Sequence, residues 1–174
     1  GGPPRPRRPP TGALSISGTN AKRVESAAVL ANEGVASWID SGDLQGFNSG
    51  VIQNRSGGLF EIRNDQTAVY ICCNANSTFS NAGTLRKTGS SGTTRIEWQV
   101  DNSGTIDVAS GVLDMTGGGN SSGTFTTQAG GVIGFGGGTH TLANTATISG
   151  PGAMRVTNGT TNFSGSLSLD SPTS

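Results

Sequence analysis

The sequence carries little charge, few aromatic residues and no long hydrophobic run. Charged residues make up 13% of its 174 residues, aromatic residues 5% and hydrophobic residues 32%, and the formal net charge is zero. A neutral chain lacks the basic surface of a nucleic-acid-binding protein, so we expect no nucleic acid as a partner. No apolar stretch approaches the roughly 20 residues that span a bilayer, so we expect no membrane insertion. The first ten residues have no hydrophobic centre, so they do not resemble a signal peptide.

Histidine and cysteine are also scarce, and this limits the available chemistry. His140 is the only histidine, and its alternation with Thr139 and Thr141 predicts an outward position on a strand. A zinc site needs more ligands than these residues supply, so we expect no metal and no cofactor. The two cysteines, Cys72 and Cys73, are adjacent, and a bond between neighbours is strained. The sequence therefore favours one buried thiol and one near the surface, with a disulfide across subunits as the alternative.

Glycine is abundant where helix formers are scarce. The chain has 29 glycines, more than double the usual share of about 7%, and each would cost roughly 1 kcal/mol inside a helix. Disorder is the other explanation of such a composition, but disordered chains usually have high net charge and few β-branched residues. This chain is neutral and rich in Thr, Val and Ile. The composition therefore favours an all-β fold.

The N-terminal segment, residues 1–18, differs from the rest of the chain. Prolines dominate its first ten residues and favour an extended, polyproline-II-like backbone. Three arginines accompany them, which leaves eight basic and eleven acidic residues in the remainder. We interpret residues 1–18 as an extended arm and residues 19–174 as a single domain; a flexible linker is the alternative for the arm. The residues assigned to a subunit-linking role are Pro3, Pro4, Arg5, Arg7 and Arg8.

Residues 19–34 contain the one stretch with a helical pattern. Asn20 is a candidate N-cap, Val24 and several alanines follow at helical spacing, and Gly34 would end the helix. We therefore expect at most one short helix in the fold. A strand at residues 27–30 is the alternative.

From about residue 35 onward the sequence repeats one form: a small turn, a glycine, and then alternating apolar and polar residues. An alternation with a period of two is typical of a β-strand. Gly83, Gly104 and Gly123 are separated by 21 and 19 residues. Gly50 and Gly152 lie at wider intervals, which we interpret as longer turns or turns with an extra strand. The spacing predicts a parallel β-solenoid, or β-helix, with rungs of roughly 20 residues and two or three strands per rung.

Glycine and asparagine are predicted to form the corners between these strands. Both residue types adopt a positive φ at low cost. Asn48, Asn81 and Asn102 each precede a motif glycine by two residues, and stacked asparagines can hydrogen-bond in ladders along the axis. The glycine runs at 117–119 and 136–138 are predicted corners rather than phosphate loops, because neither is followed by the GK[ST] of such a loop.

The repeated units resemble those of a known class of proteins. The pattern N-[SA]-G-T-[LI]-x-[KV], with GVLDMTGGG and GTHTLANTATISGPGAMRV between its copies, is similar to the repeat arrays of bacterial extracellular β-solenoid proteins. Autotransporter passenger domains and filamentous-haemagglutinin-like adhesins are the familiar members. The resemblance covers roughly residues 45–170, and it implies a secreted or cell-surface protein that acts in adhesion, surface layers or filaments. The Pro/Arg arm has no counterpart in these arrays.

Acidic residues are the main candidates for enzymatic chemistry, since many β-helices act on polysaccharides with carboxylates on one face. Asp101, Asp107 and Asp114 could line up on neighbouring strands, but each alternates with apolar residues as an ordinary outward residue does. A shared groove would favour catalysis, and scattered positions would not. We therefore expect a protein that is not an enzyme and has no catalytic residues.

Thr-x-Thr pairs could order water on a flat face of the solenoid. They do not recur once per rung, so we do not expect that role.

The main functional hypothesis is a structural subunit of an extracellular filament or surface matrix. An open solenoid end has unpaired backbone groups, and a head-to-tail contact that does not close produces a filament. The partner would be a second copy of the chain, joined by end-to-end stacking and by exchange of the N-terminal arm. A monomeric adhesin that binds surface glycans is the alternative, and a polysaccharide-active β-helix ranks third. Capped ends would favour the adhesin.

Overall fold

The chain folds as a parallel β-solenoid. The computed structural model describes residues 12–73 and 75–170, which contain 22 strands and no helix. The strands form three parallel sheets of eight, seven and seven strands. Consecutive strands belong to consecutive sheets, so three strands make one turn, and about seven turns of about 21 residues stack along one axis. The predicted all-β solenoid with short rungs is therefore confirmed.

The strands are numbered in chain order and grouped by sheet. Sheet A contains β1 (Ala13–Ile16), β4 (Val35–Trp38), β7 (Leu59–Ile62), β10 (Thr84–Lys87), β13 (Thr105–Val108), β16 (Thr124–Thr127), β19 (Thr147–Gly150) and β22 (Ser166–Leu169). Sheet B contains β2 (Lys22–Val24), β5 (Leu44–Phe47), β8 (Thr67–Cys72), β11 (Thr93–Ile96), β14 (Gly111–Met115), β17 (Gly131–Phe135) and β20 (Ala153–Val156). Sheet C contains β3 (Val29–Asn32), β6 (Val51–Asn54), β9 (Thr78–Asn81), β12 (Gln99–Asn102), β15 (Gly119–Ser121), β18 (Thr139–Leu142) and β21 (Thr160–Phe163).

The hydrophobic core consists of columns of inward side chains that run along the axis. Pairing in register places Leu85 between Phe60 of the turn before and Ile106 of the turn after. All three are 0% exposed. Because neighbouring strands lie only about 4.8 Å apart, each turn covers the apolar side chains of the next. The core is therefore continuous, and no single turn completes it alone.

Glycines line the corner that leads into sheet A, because the backbones of successive turns nearly touch there. A Cβ added to Gly104 would lie 2.2 Å from the carbonyl oxygen of Gly83, and a Cβ added to Gly123 would lie 2.2 Å from that of Gly104. The sequence spacing of these three glycines therefore reflects one turn of the solenoid. Gly50 precedes a strand of sheet C and Gly152 a strand of sheet B. The interpretation of their wider intervals as longer turns, or as turns with an extra strand, is wrong.

The two glycine runs form the corner between sheets B and C. Gly118 and Gly138 lie in this corner in successive turns, with φ values of 76° and 66°. Gly159 follows in the next turn with a φ of 77°. A side chain is strained in this left-handed region, so the prediction that the runs are corners is confirmed.

A ladder of buried asparagines runs along the end of sheet C. The amide of Asn32 donates to Asn54 at 2.8 Å, that of Asn54 to Asn81 at 2.7 Å, and that of Asn81 to Asn102 at 2.8 Å. Each of the three donors also bonds a backbone carbonyl of a following sheet A strand. Asn81 and Asn102 were predicted in such a ladder, and they are part of it. Asn48 is not; it lies in the corner between β5 and β6 with a φ of 47°.

Residues 19–34 form strands rather than a helix, so the predicted helix is wrong. The segment contains β2 and β3, joined by a turn at Ser26 and Ala27 with φ values of 56° and 58°. Asn32 joins the asparagine ladder at the end of β3. Pairing with the next turn thus overrides a local helical pattern, as tertiary context often does.

The solenoid begins before the predicted domain boundary. β1 pairs in register with β4, from Ala13 opposite Val35 to Ile16 opposite Trp38. The division between residues 18 and 19 therefore falls inside the first turn, and the segment assigned to an arm includes a strand of sheet A.

Breaking the asparagine ladder should destabilise the fold. We expect Asn81→Ala to lower the free energy of unfolding by about 2 kcal/mol or more, because it removes the hydrogen bonds that join Asn54 and Asn102 through Asn81 and leaves the buried side-chain oxygen of Asn102 without its donor. Urea denaturation measures the change. Asn120→Ala is the matched control, because Asn120 is exposed on the same sheet, and it should change stability by no more than about 0.5 kcal/mol. Equal effects of the two variants would contradict a structural ladder.

Candidate functional site: the open ends of the solenoid

The two ends of the described solenoid expose side chains that belong to core columns. One inward column of sheet A contains one residue from each turn, and its exposure changes abruptly at the two ends. Leu14 at the first strand is 40% exposed and Leu167 at the last is 50% exposed. The column members between them, from Ala36 to Ile148, are 0 to 1% exposed. The same side-chain position is thus core in the middle and surface at the ends.

The other sheets have the same feature at the C-terminal end. Val156 ends the column that contains Met115 and Phe135, and it is 49% exposed where they are 1% exposed. Phe163 ends the column that contains Leu142, and it is 38% exposed. Apolar surface at this end therefore extends over all three sheets.

The N-terminal end has a pocket of about 470 Å³. Its floor is formed by inward residues of the first two turns, and the basic side chains of β2 lie at its rim. The residues that line it include Leu14, Ile16, Val24, Leu30, Leu44, Lys22 and Arg23. An apolar depression with a basic rim is able to receive apolar side chains flanked by an acidic group.

The end strands also have unpaired backbone edges within the described chain. β1, β2 and β3 are the first strands of their sheets, and β22, β20 and β21 are the last. A strand at the edge of a sheet presents unpaired N–H and C=O groups that can pair with another strand. Each end therefore combines apolar side chains with backbone groups that can hydrogen-bond.

The five residues assigned to the subunit-linking role all lie outside the described residues. They are Pro3, Pro4, Arg5, Arg7 and Arg8. Their linking role therefore stays a prediction.

Cys72 and Cys73 form a disulfide with each other. Both residues are exposed: Cys72 ends β8, and Cys73 begins the corner that follows, with a φ of 79°. The expectation of one buried thiol and one near the surface is therefore wrong. The bond uses both sulfurs, so a disulfide across subunits would require it to open first, and that alternative stays a prediction.

The three candidate catalytic carboxylates do not share a groove. Asp101, Asp107 and Asp114 belong to β12, β13 and β14, which lie in sheets C, A and B and face three different directions. Asp107 pairs with Arg86 at 2.8 Å, and Asp114 lies 3.6 Å from Arg95. Asp107 and Asp114 are only 7% and 6% exposed. The arrangement offers no pair of carboxylates that could act together on one glycosidic bond.

His140 faces the core, so its predicted outward position is wrong. It is 4% exposed, its Nε2 lies 3.2 Å from the carbonyl oxygen of Met115, and its ring packs against Phe135 with 5.0 Å between centroids. Burial lowers the pKa of His140 below its ordinary value of 6.5, although the Met115 and Gly137 backbones and the Asp114 carboxylate act in the opposite direction. The neutral imidazole is therefore the form that the fold favours.

A second ionisable residue, Lys87, lies entirely inside the core. Its side chain is 0% exposed, and its Nζ bonds the backbone oxygen of Asn64, a carboxylate oxygen of Asp65 and the hydroxyl of Ser90 at 3.0, 3.0 and 2.6 Å. Burial acts to raise the pKa of Asp65, but hydrogen bonds from Lys87 and Ser90 and the charge of Lys87 outweigh it and lower that pKa. Through these hydrogen bonds and the ion pair, the lysine connects the corner at residues 63–66 to the next turn. Sequence periodicity could not reveal this, because a buried lysine breaks the apolar pattern.

One outward column of sheet A carries stacked hydroxyl groups that the sequence reading missed. Pairing in register aligns Thr84, Thr105, Thr124 and Thr147, followed by Ser166. The first three each follow a corner glycine directly, so aligning the sequence on those glycines would have found the column. The search for Thr-x-Thr pairs missed it because rung length varies.

Comparisons with known proteins add no assignment. No protein-family model, curated protein or solved structure matches the chain. In the part of the chain that the structure describes, no helix is long and apolar enough to cross a membrane. Within the same ranges, no three His, Cys, Asp or Glu side chains are grouped so that they could hold a metal ion.

The buried histidine makes stability depend on pH. Because the pKa of His140 is below 6.5 in the folded chain, the unfolded chain binds the proton more tightly. The stabilisation is fully present above pH 6.5 and is lost as the pH falls from there through the folded pKa. We expect thermal melts to show a decline below pH 6.5 that His140→Phe removes; Phe79 occupies the same inward column three turns earlier.

A separate pH range reports on Asp65. Its pKa is lowered from 3.8, so its contribution appears above pH 3.8 and is lost only in stronger acid. Melts between pH 4 and 6.5 therefore lie above the range of Asp65, and comparing them with melts of His140→Phe tests the histidine. An identical decline in the wild type and in His140→Phe over that range would contradict its assignment.

Proposed function

We propose that this chain is a structural subunit of an extracellular filament or surface matrix, in which copies stack end to end. The observation that carries the proposal is the change in exposure along single core columns, from 0 to 1% in the middle to 40% and 50% at Leu14 and Leu167. A second copy stacked on either end would cover these side chains as the inner turns cover one another. The contact joins two different surfaces, and because the copies stack along the solenoid axis, it repeats without closing into a ring.

The energies involved are consistent with reversible assembly. Covering a half-exposed large apolar side chain contributes about 1 kcal/mol, and each added backbone hydrogen bond also contributes about 1 kcal/mol. Association costs at least about 4 kcal/mol in lost freedom of movement. Several side chains and one strand edge together exceed that cost modestly, so we expect the degree of assembly to depend on protein concentration.

The extracellular location rests on two supporting features. Disulfides persist mainly in oxidising compartments outside the cytosol, and Cys72 and Cys73 are bonded. The repeat units also resemble those of bacterial surface and secreted solenoids. In this proposal the Pro/Arg segment of one subunit contacts the next subunit and strengthens the junction.

A charge placed at one end should prevent assembly. We expect purified chain 1–174 to form uniform filaments in electron micrographs, and we expect Leu167→Glu to give dispersed short rods, because a carboxylate would be buried at each junction. Thr105→Glu is the control; it adds the same charge on the outward side of sheet A in the middle of the solenoid, and it should still form filaments. Dispersed wild-type rods at every concentration tested would refute the proposal.

The arm has its own test. Deleting residues 1–12 should leave a folded solenoid, because β1 starts at Ala13, but it should abolish polymerisation. Sedimentation velocity reports the size of the particles, and circular dichroism verifies the fold. Unchanged assembly would remove the arm from the mechanism and leave the stacking of the ends intact.

A monomeric, glycan-binding adhesin is the second candidate, and a groove on sheet C favours it. This shallow groove of about 280 Å³ is lined by outward side chains that include Ser80, Asp101, Asn120 and Thr141. Hydroxyl, amide and carboxylate groups can hydrogen-bond a sugar. Open ends favour the filament over the adhesin, and a glycan array probed with Leu167→Glu would separate the two: binding by this dispersed variant supports the adhesin.

A further inference from the structure

Sheet A extends further than the other two sheets at the C-terminal end of the described chain. It has eight strands, whereas sheets B and C have seven each. The extra strand is β22, which pairs with β19 and has no described strand on its other edge. At the opposite end, β1 also belongs to sheet A and pairs only with β4. The most advanced strand edges of the two ends therefore lie in the same sheet.

From this we infer that β22 of one subunit pairs in parallel with β1 of the next, so that sheet A alone runs unbroken through the junction. This inference rests on the proposed function and specifies its interface. The register places Ser166 opposite Ala13 and Leu169 opposite Ile16. It is the register in which both strands already pair with their own neighbours, β22 with β19 and β1 with β4.

The side chains select this register over a shift of one residue. Leu167 and Leu14 belong to the same inward column, and both are about half exposed. Opposite each other, they would restore the burial that Leu85 and Ile106 have in the middle of that column. A shift by one residue would turn the apolar side chains of one strand outward, because the side-chain period of a strand is two.

The same side chains disfavour a shift of two residues. The inward residues are Leu14 and Ile16 on β1 and Leu167 and Leu169 on β22, so a shift of two would leave one inward side chain of each strand without its apolar partner.

Cross-linking tests the strand pairing directly. In the double variant Leu14→Cys, Leu167→Cys, a short bismaleimide should link neighbouring subunits into covalent ladders on a denaturing gel. The matched control is Leu14→Cys, Phe163→Cys, whose second cysteine lies at the same end but in sheet C, and it should give few ladders. Equal ladders in both, or ladders in Leu14→Cys alone, would overturn the register.

The outcomes separate this inference from the proposal on which it rests. Filaments that do not cross-link through residues 14 and 167 would refute the continuous sheet A and keep the filament. An absence of filaments in the wild type would refute the proposed function itself. Circular dichroism of each variant verifies that the solenoid is folded before either conclusion is drawn.

Discussion

Parallel stacking in register, at about 4.8 Å per turn, is the constraint on which the rest of this structure depends. Each side chain lies directly above and below the residues at the same position in neighbouring turns. The corner before sheet A requires glycine, because a Cβ on Gly104 would collide with the backbone of Gly83. The column through Leu85 is apolar because every member is covered by the next. High glycine content and low charge, which are odd in a globular domain, follow from this one requirement.

The same constraint explains how much of the fold could be predicted from the sequence. Period-two alternation and glycine spacing were visible because they are local and recur, and they were sufficient for the architecture. The failed helix at 19–34 and the misplaced His140 have one cause: each position was judged from its neighbours in the chain. In a solenoid the deciding neighbours lie one turn, or about 21 residues, away. Turns of unequal length conceal that relation, so Gly50 was assigned to the wrong corner, and Asn54 was missed as a member of the ladder.

Buried polar groups give this core a specificity that apolar columns lack. Leucine, isoleucine and phenylalanine could exchange places between turns at modest cost. The asparagine ladder could not, because each amide needs its partner in the adjacent turn at about 2.8 Å, and a buried amide without a partner costs about 1–3 kcal/mol. Lys87 and Asp65 tie a corner to the next turn in the same way. These groups lie where the turn lengths vary most, and there they fix which residue stacks on which.

The distribution of apolar surface bears on the proposed end-to-end assembly. Seven large hydrophobic side chains are exposed in the described chain, and six of them lie in its first two or last two turns; only Ile71 lies elsewhere. Arg86 and Asp107 pair on the side of sheet A, and exposed charge of this kind opposes sideways contact between sheets. Leu14, Val156, Phe163 and Leu167 end inward columns, so their exposure supports the proposed contact between copies along the axis. A fold that adds turns by stacking thus presents, at its ends, the surface that a further copy would need.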